Sequence, residues 1–191
     1  AYLDNAVVIV ANIGRAECID PMLAQVEKGD ETSDAIIARE LYKLPKEQKV
    51  TDAFKKVWDD TKIDATIAGG ANAKQALTEA SANFADPALA TAIGQAALDA
   101  KTGEAGDIAD LQDAALVMLM KVGGPTHLDL IEKLAAKTRD NAPIGKGYEK
   151  ELNIVRALIK ENGDKPEAWL KKLESGEAQK DSGFVGIKSA Y

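Results

Sequence analysis

The residue best suited to chemistry in this sequence is its single histidine, His127, which follows Gly123, Gly124, Pro125 and Thr126. Glycines that lead into a helix leave backbone amides unpaired, and such amides attract anions together with the helix dipole. The stretch therefore predicts a phosphate or carboxylate site. Its candidate residues are Gly123, Gly124, Thr126 and His127. The alternative is that His127 caps its helix or lies at the surface. No pattern in the sequence identifies the nucleophile and the orienting carboxylate that a catalytic histidine needs.

Most common catalytic and metal-binding patterns are missing from the sequence. Cys18 is the only cysteine, so a CxxC motif and an internal disulfide are excluded. His127 has no glutamate three residues before it, which excludes the ExxH pair of di-iron bundles. Gly69-Gly70 fits neither the GxGxxG pattern nor a P-loop. No catalytic residue and no metal ligand is therefore predicted, and the sequence favours a protein that is not an enzyme.

The composition favours closely packed helices and argues against nucleic acid as a partner. The chain has 191 residues and is 46 % hydrophobic but only 5 % aromatic. Alanine occupies many of the positions where larger side chains would stand, and alanine is the best helix former. The formal net charge is -7 at pH 7, so the positive surface that binds nucleic acid or anionic lipid is not expected.

No apolar run reaches the roughly 18 residues that a membrane-spanning helix needs, so no transmembrane segment is predicted. Peripheral association with a membrane complex stays open. The chain begins at Ala1 without an initiator methionine, which is compatible with removal of a targeting peptide and also with a shortened chain. This start slightly favours an exported or organellar compartment over the cytoplasm.

The most apolar stretch lies between Asp107 and Leu134 and predicts a helical hairpin. Its first half carries apolar residues at helical spacing: Ile108, Leu111, Ala115, Met118, Leu119 and Val122. Asp107 suits the N-cap of this helix, and Gly123 suits the left-handed residue that ends it. Thr126 suits the cap of a second helix. The apolar side of that second helix carries Leu128, Ile131, Leu134 and Ala135. We expect the other segments to pack around this hairpin.

Amphipathic or alanine-rich segments fill most of the remaining chain. Helices are predicted over residues 20–29, 31–44, 72–84, 88–100, 148–161 and 166–173, and from Pro45 onward with Val50, Phe54, Val57 and Trp58 on one face. Residues 6–11 and 64–68 are ambiguous between strand and helix or turn. The predicted fold is all-α, a compact bundle of roughly eight or nine short helices around the hairpin. It forms a single domain over residues 1–174, followed by an extended tail over residues 175–191. The alternative is a small α/β fold with strands at residues 7–11, 65–68 and 116–120.

Two Asp-Pro pairs, Asp20-Pro21 and Asp86-Pro87, are each predicted to open a helix. Aspartate is a good N-cap, and proline is tolerated at the first helical position. The five residues that start at each aspartate match in register, which hints at a repeat. The simpler interpretation is that Asp-Pro is a common way to begin a helix.

Three functions are compatible with this sequence. The preferred one is a non-catalytic structural or interaction subunit of a larger protein assembly, which docks through helix faces and its C-terminal tail. The predicted partner-binding residues are Phe184, Val185, Ile187 and Tyr191, apolar side chains that would fill pockets of another subunit. The second function is a carrier of an apolar ligand or pigment between helices, with His127, Met118 and Met120 at the ligand; no other cofactor is predicted. The third is an enzyme for a phosphorylated or carboxylated small molecule at the turn 123–127.

Overall fold

The structure is a computed structural model, and it describes residues 2–26, 31–67, 69–101, 103–122 and 125–140 together with Asn153, Arg156, Ala157, Lys160 and Glu161. Eight α-helices lie within the five continuous ranges: α1 (Tyr2–Ile13), α2 (Ile19–Val26), α3 (Glu31–Ala38), α4 (Gln48–Asp60), α5 (Ala73–Ser81), α6 (Pro87–Leu98), α7 (Ala105–Val122) and α8 (Leu128–Asp140). Short 3-10 turns lie at Ala16–Cys18, Leu41–Lys43, Ala82–Phe84 and Pro125–His127. The predicted all-α class is confirmed.

The two segments that were ambiguous in the sequence adopt helix and turn. Residues 6–11 lie within α1. Residues 64–67 belong to a turn whose β character, among the described residues, is limited to one isolated bridge between Thr66 and Asn72. The Asn72 side chain holds this turn, because its Nδ2 donates to the Ile63 carbonyl at 2.5 Å and its Oδ1 accepts from the Gln75 amide at 2.9 Å. The α/β alternative is wrong for the described ranges, since residues 116–120 also lie within a helix.

The described residues divide into two compact units, and the boundary lies between Phe84 and Ala85. Ala85 has a φ of 52°, a left-handed conformation that costs a non-glycine residue about 1–2 kcal/mol. Each unit buries a set of apolar side chains of its own. The expectation of one domain over residues 1–174 with a tail over 175–191 stays a prediction, because residues 162–191 lie outside the described part.

Helix α4 provides the apolar face that organises the first unit. Its inward residues are Val50, Phe54, Val57 and Trp58, all at most 5 % exposed, as the helical spacing predicted. The ring of Phe54 lies 4.6 Å from the ring of Phe84, centre to centre. Helices α2 and α3 pack along α4, and α1 packs on α3.

A buried polar network joins α4 to α5 within the first unit. The side chain of Lys74 is only 7 % exposed, and its ammonium donates to the carbonyl oxygens of Trp58 and Thr61 at the C-terminus of α4. The same ammonium lies 3.8 Å from the centre of the Trp58 ring. The indole Nε1 of Trp58 donates to Thr78 Oγ1 at 2.8 Å. A cation beside the last carbonyls of a helix is favourable, and the aromatic face adds to this attraction.

The predicted hairpin is present as α7 and α8, and α6 packs against both of them in the second unit. The residues of α7 that are completely buried are Ala115, Leu116, Met118, Leu119, Met120 and Val122. Gly94 of α6 allows the close approach, because a Cβ atom there would lie 2.8 Å from Leu119 Cδ1 and 2.9 Å from Leu130 Cδ2. The absence of a side chain at Gly94 therefore lets leucines of α7 and α8 pack closely against α6.

The two Asp-Pro pairs behave differently. Asp86 caps α6 as predicted, and its carboxylate accepts hydrogen bonds from two backbone amides of the first turn. Asp20 does not cap a helix, because α2 begins one residue earlier at Ile19. Its carboxylate instead lies 2.7 Å from the ammonium of Lys49 on α4. The matching pentapeptides therefore have different local structures.

Several other predicted boundaries shift. Helix α4 begins at Gln48 rather than at Pro45, and the helix predicted over residues 31–44 ends at Ala38. Asp107 lies in the first turn of α7 rather than at its N-cap, since α7 begins at Ala105. Thr126 lies inside the 3-10 turn that leads into α8 and is not its cap.

The helix predicted over residues 148–161 is described at five positions, and all five are helical. Among them, Arg156 forms a two-pronged ion pair with Glu132 of α8. The helix predicted over residues 166–173 lies outside the described residues.

Candidate functional site

Helix α1 presents large apolar side chains to solvent. Ile9 is 62 % exposed, Ile13 53 % and Val8 37 %, and they are the exposed large hydrophobic residues of the described chain. We call Ile9 and Ile13, which lie one turn apart on the same side of the helix, the α1 apolar face. Scattered single apolar residues at a surface are ordinary, whereas three on one helix of twelve residues are a candidate contact surface.

The rest of α1 explains why this face points outward. Val7 and Ala11, one turn apart, are 5 % and 0 % exposed, and α1 packs on α3 through that side. Gly14 ends the helix with a φ of 62°, and its amide donates to the Ala11 carbonyl at 3.0 Å. A Cβ atom at Gly14 would lie 3.3 Å from the Lys43 carbonyl oxygen, so the glycine permits both the turn and the contact.

His127 is buried and hydrogen-bonded within the second unit. Its side chain is 1 % exposed, and its Nε2 lies 3.1 Å from the Pro87 carbonyl oxygen and 3.0 Å from Thr91 Oγ1. Because a carbonyl oxygen only accepts, Nε2 carries the ring proton in this contact and donates it. The imidazole therefore links the turn before α8 to the N-terminal part of α6, and its Nε2 is used in this structural hydrogen bond.

The other members of the predicted anion site are distributed differently. Thr126 is exposed, next to the buried imidazole of His127, while Gly123 and Gly124 lie outside the described residues. The anion site stays a prediction for these three.

Met118 and Met120, which the ligand-carrier hypothesis placed beside a bound molecule, are both completely buried on α7. The four tail residues predicted to bind a partner, Phe184, Val185, Ile187 and Tyr191, also lie outside the described part of the chain.

No protein-family model, no curated protein sequence and no solved structure matches this chain. None of the helices in the described ranges has the length and the apolar content needed to cross a bilayer. Within those ranges, no group of three His, Cys, Asp or Glu side chains is placed to hold a metal ion.

Asp113 on α7 is a titratable group that the sequence did not single out. Burial, and to a smaller extent the negative charge of Asp110, raise the pKa of Asp113 from 3.8 to about 6. Its Oδ1 is buried and has no hydrogen-bond partner among the described residues. An ionised carboxylate in this position lowers the stability of the fold, because the charge has lost part of its hydration without gaining a partner.

Replacing Asp113 by asparagine should stabilise the protein at neutral pH. The unfolded carboxyl releases its proton near pH 4 and the folded one near pH 6, so the wild type loses stability as the pH rises through this window. The full shift corresponds to about 3 kcal/mol in a dry site, and solvent screening reduces this to about 1 kcal/mol. Urea unfolding at about pH 8 should show this gain for Asp113→Asn, and at about pH 4 the gain should nearly vanish.

Asp110→Asn is the matched comparison, because it removes only the smaller cause of the shift and should yield a smaller gain. An equal gain for Asp113→Asn at both pH values would contradict the assignment.

Proposed function

We propose that this chain is a non-catalytic helical subunit of a larger protein assembly, and that its α1 apolar face docks against an apolar helix of a partner protein. The observation that supports the proposal is the exposure of Ile9, Ile13 and Val8 on one short helix. Covering apolar surface is the main source of free energy in protein association. A folded helix that leaves such side chains in water gains from a partner that covers them.

The binding free energy available at this face is enough for the central part of an interface but not for a whole interface. Burial of a fully exposed isoleucine contributes about 1.5–3 kcal/mol, so covering the exposed parts of Ile9 and Ile13 contributes about 2–3 kcal/mol. A stable interface buries roughly 800 Å² on each partner, which is more than one face of α1 provides. The predicted docking of the tail at Phe184, Val185, Ile187 and Tyr191 would supply the additional area.

The sequence around the face indicates the chemistry of its partner. No charged residue lies between Asp4 and Arg15, so the whole centre of α1 is uncharged. If the partner helix carried a charged side chain opposite Ile9 or Ile13, that charge would lose its hydration on docking and would gain no ion pair. The proposed partner surface is therefore an aliphatic helix face, recognised by shape and apolar contact.

A double substitution tests the proposal. Ile9→Glu with Ile13→Glu should release the protein from its assembly, as measured by native mass spectrometry on material purified from its source. Both side chains are more than half exposed, so the thermal midpoint of the isolated chain should change little. The control is Ala96→Glu, which adds a charge at an exposed position of α6. The double variant retained in the assembly, or wild-type protein that is monomeric in native material, would count against the proposal.

Deletion of residues 175–191 tests the contribution of the tail separately. The truncated chain should keep its thermal midpoint and lose affinity for the assembly. Undiminished association would remove the tail from the proposed interface.

A further inference from the structure

The first unit contains a pocket between α2, α3 and α4 that encloses about 610 Å³. Sites for small ligands are clefts of roughly 300–1,000 Å³, lined mainly by apolar side chains with a few polar groups that orient the ligand. None of the residues that line the pocket belongs to the α1 apolar face.

The pocket has an apolar floor and a charged rim. The floor is formed by Leu23, Val26, Ala53 and Val57. The rim is formed by Lys49, Asp52, Lys56 and Asp60 of α4, and Asp34 of α3 lines the pocket with one carboxylate oxygen buried. Most of this lining comes from one face of α4, where residues recur three and four positions apart and therefore project to the same side. Val26 and Val57 are buried, whereas the four charged residues of α4 are exposed, so the charges surround the mouth and the aliphatic groups lie beneath it.

The charges available at the rim favour carboxylates. The rim carries two carboxylates, Asp52 and Asp60, and two ammonium groups, but one of the two, Lys49, is engaged outside the pocket. Its Nζ lies 2.7 Å from Asp20 and 3.4 Å from Glu47. The hydrogen bond to Asp20 raises the pKa of Lys49, while burial acts in the opposite direction and the negative charges of Asp20 and Glu47 add to the rise. Lys49 therefore neutralises acids that do not line the pocket.

Two rim carboxylates, Asp52 and Asp60, have no cationic partner in the part of the chain that the structure describes. Asp52 accepts a hydrogen bond from the neutral amide of Gln48 at 2.8 Å, and within the described residues no ion pair involves Asp52 or Asp60. The two lie on either side of Lys56, one turn of α4 in each direction. The long side chain of Lys56 is exposed, so its ammonium remains hydrated at the mouth.

We propose that this pocket binds a small organic cation, an amine attached to an aliphatic body. The aliphatic body lies on the floor formed by Leu23, Val26, Ala53 and Val57, where it is removed from water. The ammonium group pairs with Asp52 or Asp60 at the rim, because these carboxylates lie about two turns of α4 apart, and its charge stays partly hydrated there. An anionic molecule of the same shape is repelled by the excess of carboxylates.

The probe is octylammonium, compared with octanoate of equal chain length and opposite charge, both below their micelle-forming concentrations. The full-length protein is titrated with each probe and followed by amide chemical shifts in NMR spectra. We expect saturable binding of octylammonium with shifts confined to α2, α3 and α4, and binding of octanoate about tenfold weaker or absent. Equal binding of the two probes, no saturation, or shifts spread over both units would overturn the proposal.

Substitutions separate the roles of floor and rim. Asp52→Asn with Asp60→Asn should weaken octylammonium binding about fivefold, because both carboxylates that can pair with the ammonium are removed. Lys56→Gln should strengthen it about twofold, because a like charge leaves the mouth. Asp59→Asn is the matched control, since Asp59 is exposed on the same helix, pairs with Lys55 and does not line the pocket.

A further variant, Ala53→Phe, fills the floor and should abolish binding. If its spectrum shows that it does not fold, the two asparagine substitutions decide, because both positions are exposed. Unchanged affinity in Asp52→Asn/Asp60→Asn, or an equal loss in Asp59→Asn, would overturn the assignment of the ammonium site.

Discussion

Replacing Lys74 by methionine should lower the free energy of unfolding by about 2–3 kcal/mol. Methionine keeps the apolar stem of the side chain but has no donor, so the carbonyls of Trp58 and Thr61 lose the ammonium that now pairs with them. The attraction between the ammonium and the Trp58 ring, 3.8 Å away, is lost as well. Lys74 is only 7 % exposed, so burying its charge in the wild type costs free energy. Methionine avoids this cost, which offsets part of the loss.

The measurement is urea unfolding at neutral pH, followed by circular dichroism and by tryptophan fluorescence. Lys137→Met on α8 is the control, because Lys137 is exposed, and its effect should stay within about 0.5 kcal/mol. A Lys74→Met variant as stable as the wild type would show that water or a rearranged side chain satisfies the carbonyls equally well. The emission of Trp58 should change in any case, since a cation leaves the face of its ring.

Replacing His127 by alanine should also cost about 2–3 kcal/mol of stability. The substitution leaves a cavity at a side chain that is 1 % exposed and removes the donor that faces the Pro87 carbonyl. This expectation separates the packing role of His127 from a catalytic one. A catalytic histidine at the turn would lose an activity on substitution while the fold kept its stability.

The hydrogen bond to Thr91 allows a sharper test of the same contact. His127→Ala and Thr91→Ala should not be additive when combined, because both remove parts of one network around the Pro87 carbonyl. Thr126→Ala, at the exposed neighbouring residue, should leave stability nearly unchanged. Full additivity of the first two variants, or a stability loss in Thr126→Ala equal to that in His127→Ala, would refute the contact.

The helices could be predicted because their signal is local. On α4, apolar residues at helical spacing identified Val50, Phe54, Val57 and Trp58 as the buried face, and all four are buried. The hairpin of α7 and α8 was predicted from the same periodicity. The ambiguity at residues 6–11 arose because four β-branched residues in succession favour a strand by propensity while their order also fits a helix.

The caps show where local reasoning stops. Asp86 and Asp20 each precede a proline, and the same two-residue signal predicted the same helix start at both. At Asp20 a lysine 29 residues away, Lys49, takes the carboxylate, and the helix begins earlier. Whether the Asp20 carboxylate caps a helix or pairs with a distant cation therefore depends on how α2 packs on α4.

The candidate sites depended on tertiary structure even more strongly. The exposure of Ile9 and Ile13 follows from the fact that α1 packs on α3 through its other side, which a periodicity of apolar residues all around the helix does not reveal. Lys74 could have been noticed from its position one turn before Thr78, among inward residues of α5, but nothing in the sequence identifies the carbonyls that it binds. The same holds for the pocket, whose floor and rim come from three helices.

By itself, the sequence determined the helical class, the location of most helices and the buried faces of α4 and α7, because each of these is a periodic pattern within a few turns of chain. Only the tertiary structure decided which polar groups are buried and which apolar groups are exposed. His127 reaches a carbonyl 40 residues away, and Lys74 reaches one 16 residues away. The physical reason is that a polar group is buried without a large cost in free energy only where it finds a hydrogen-bond partner. Folding brings such partners together from distant positions in the chain.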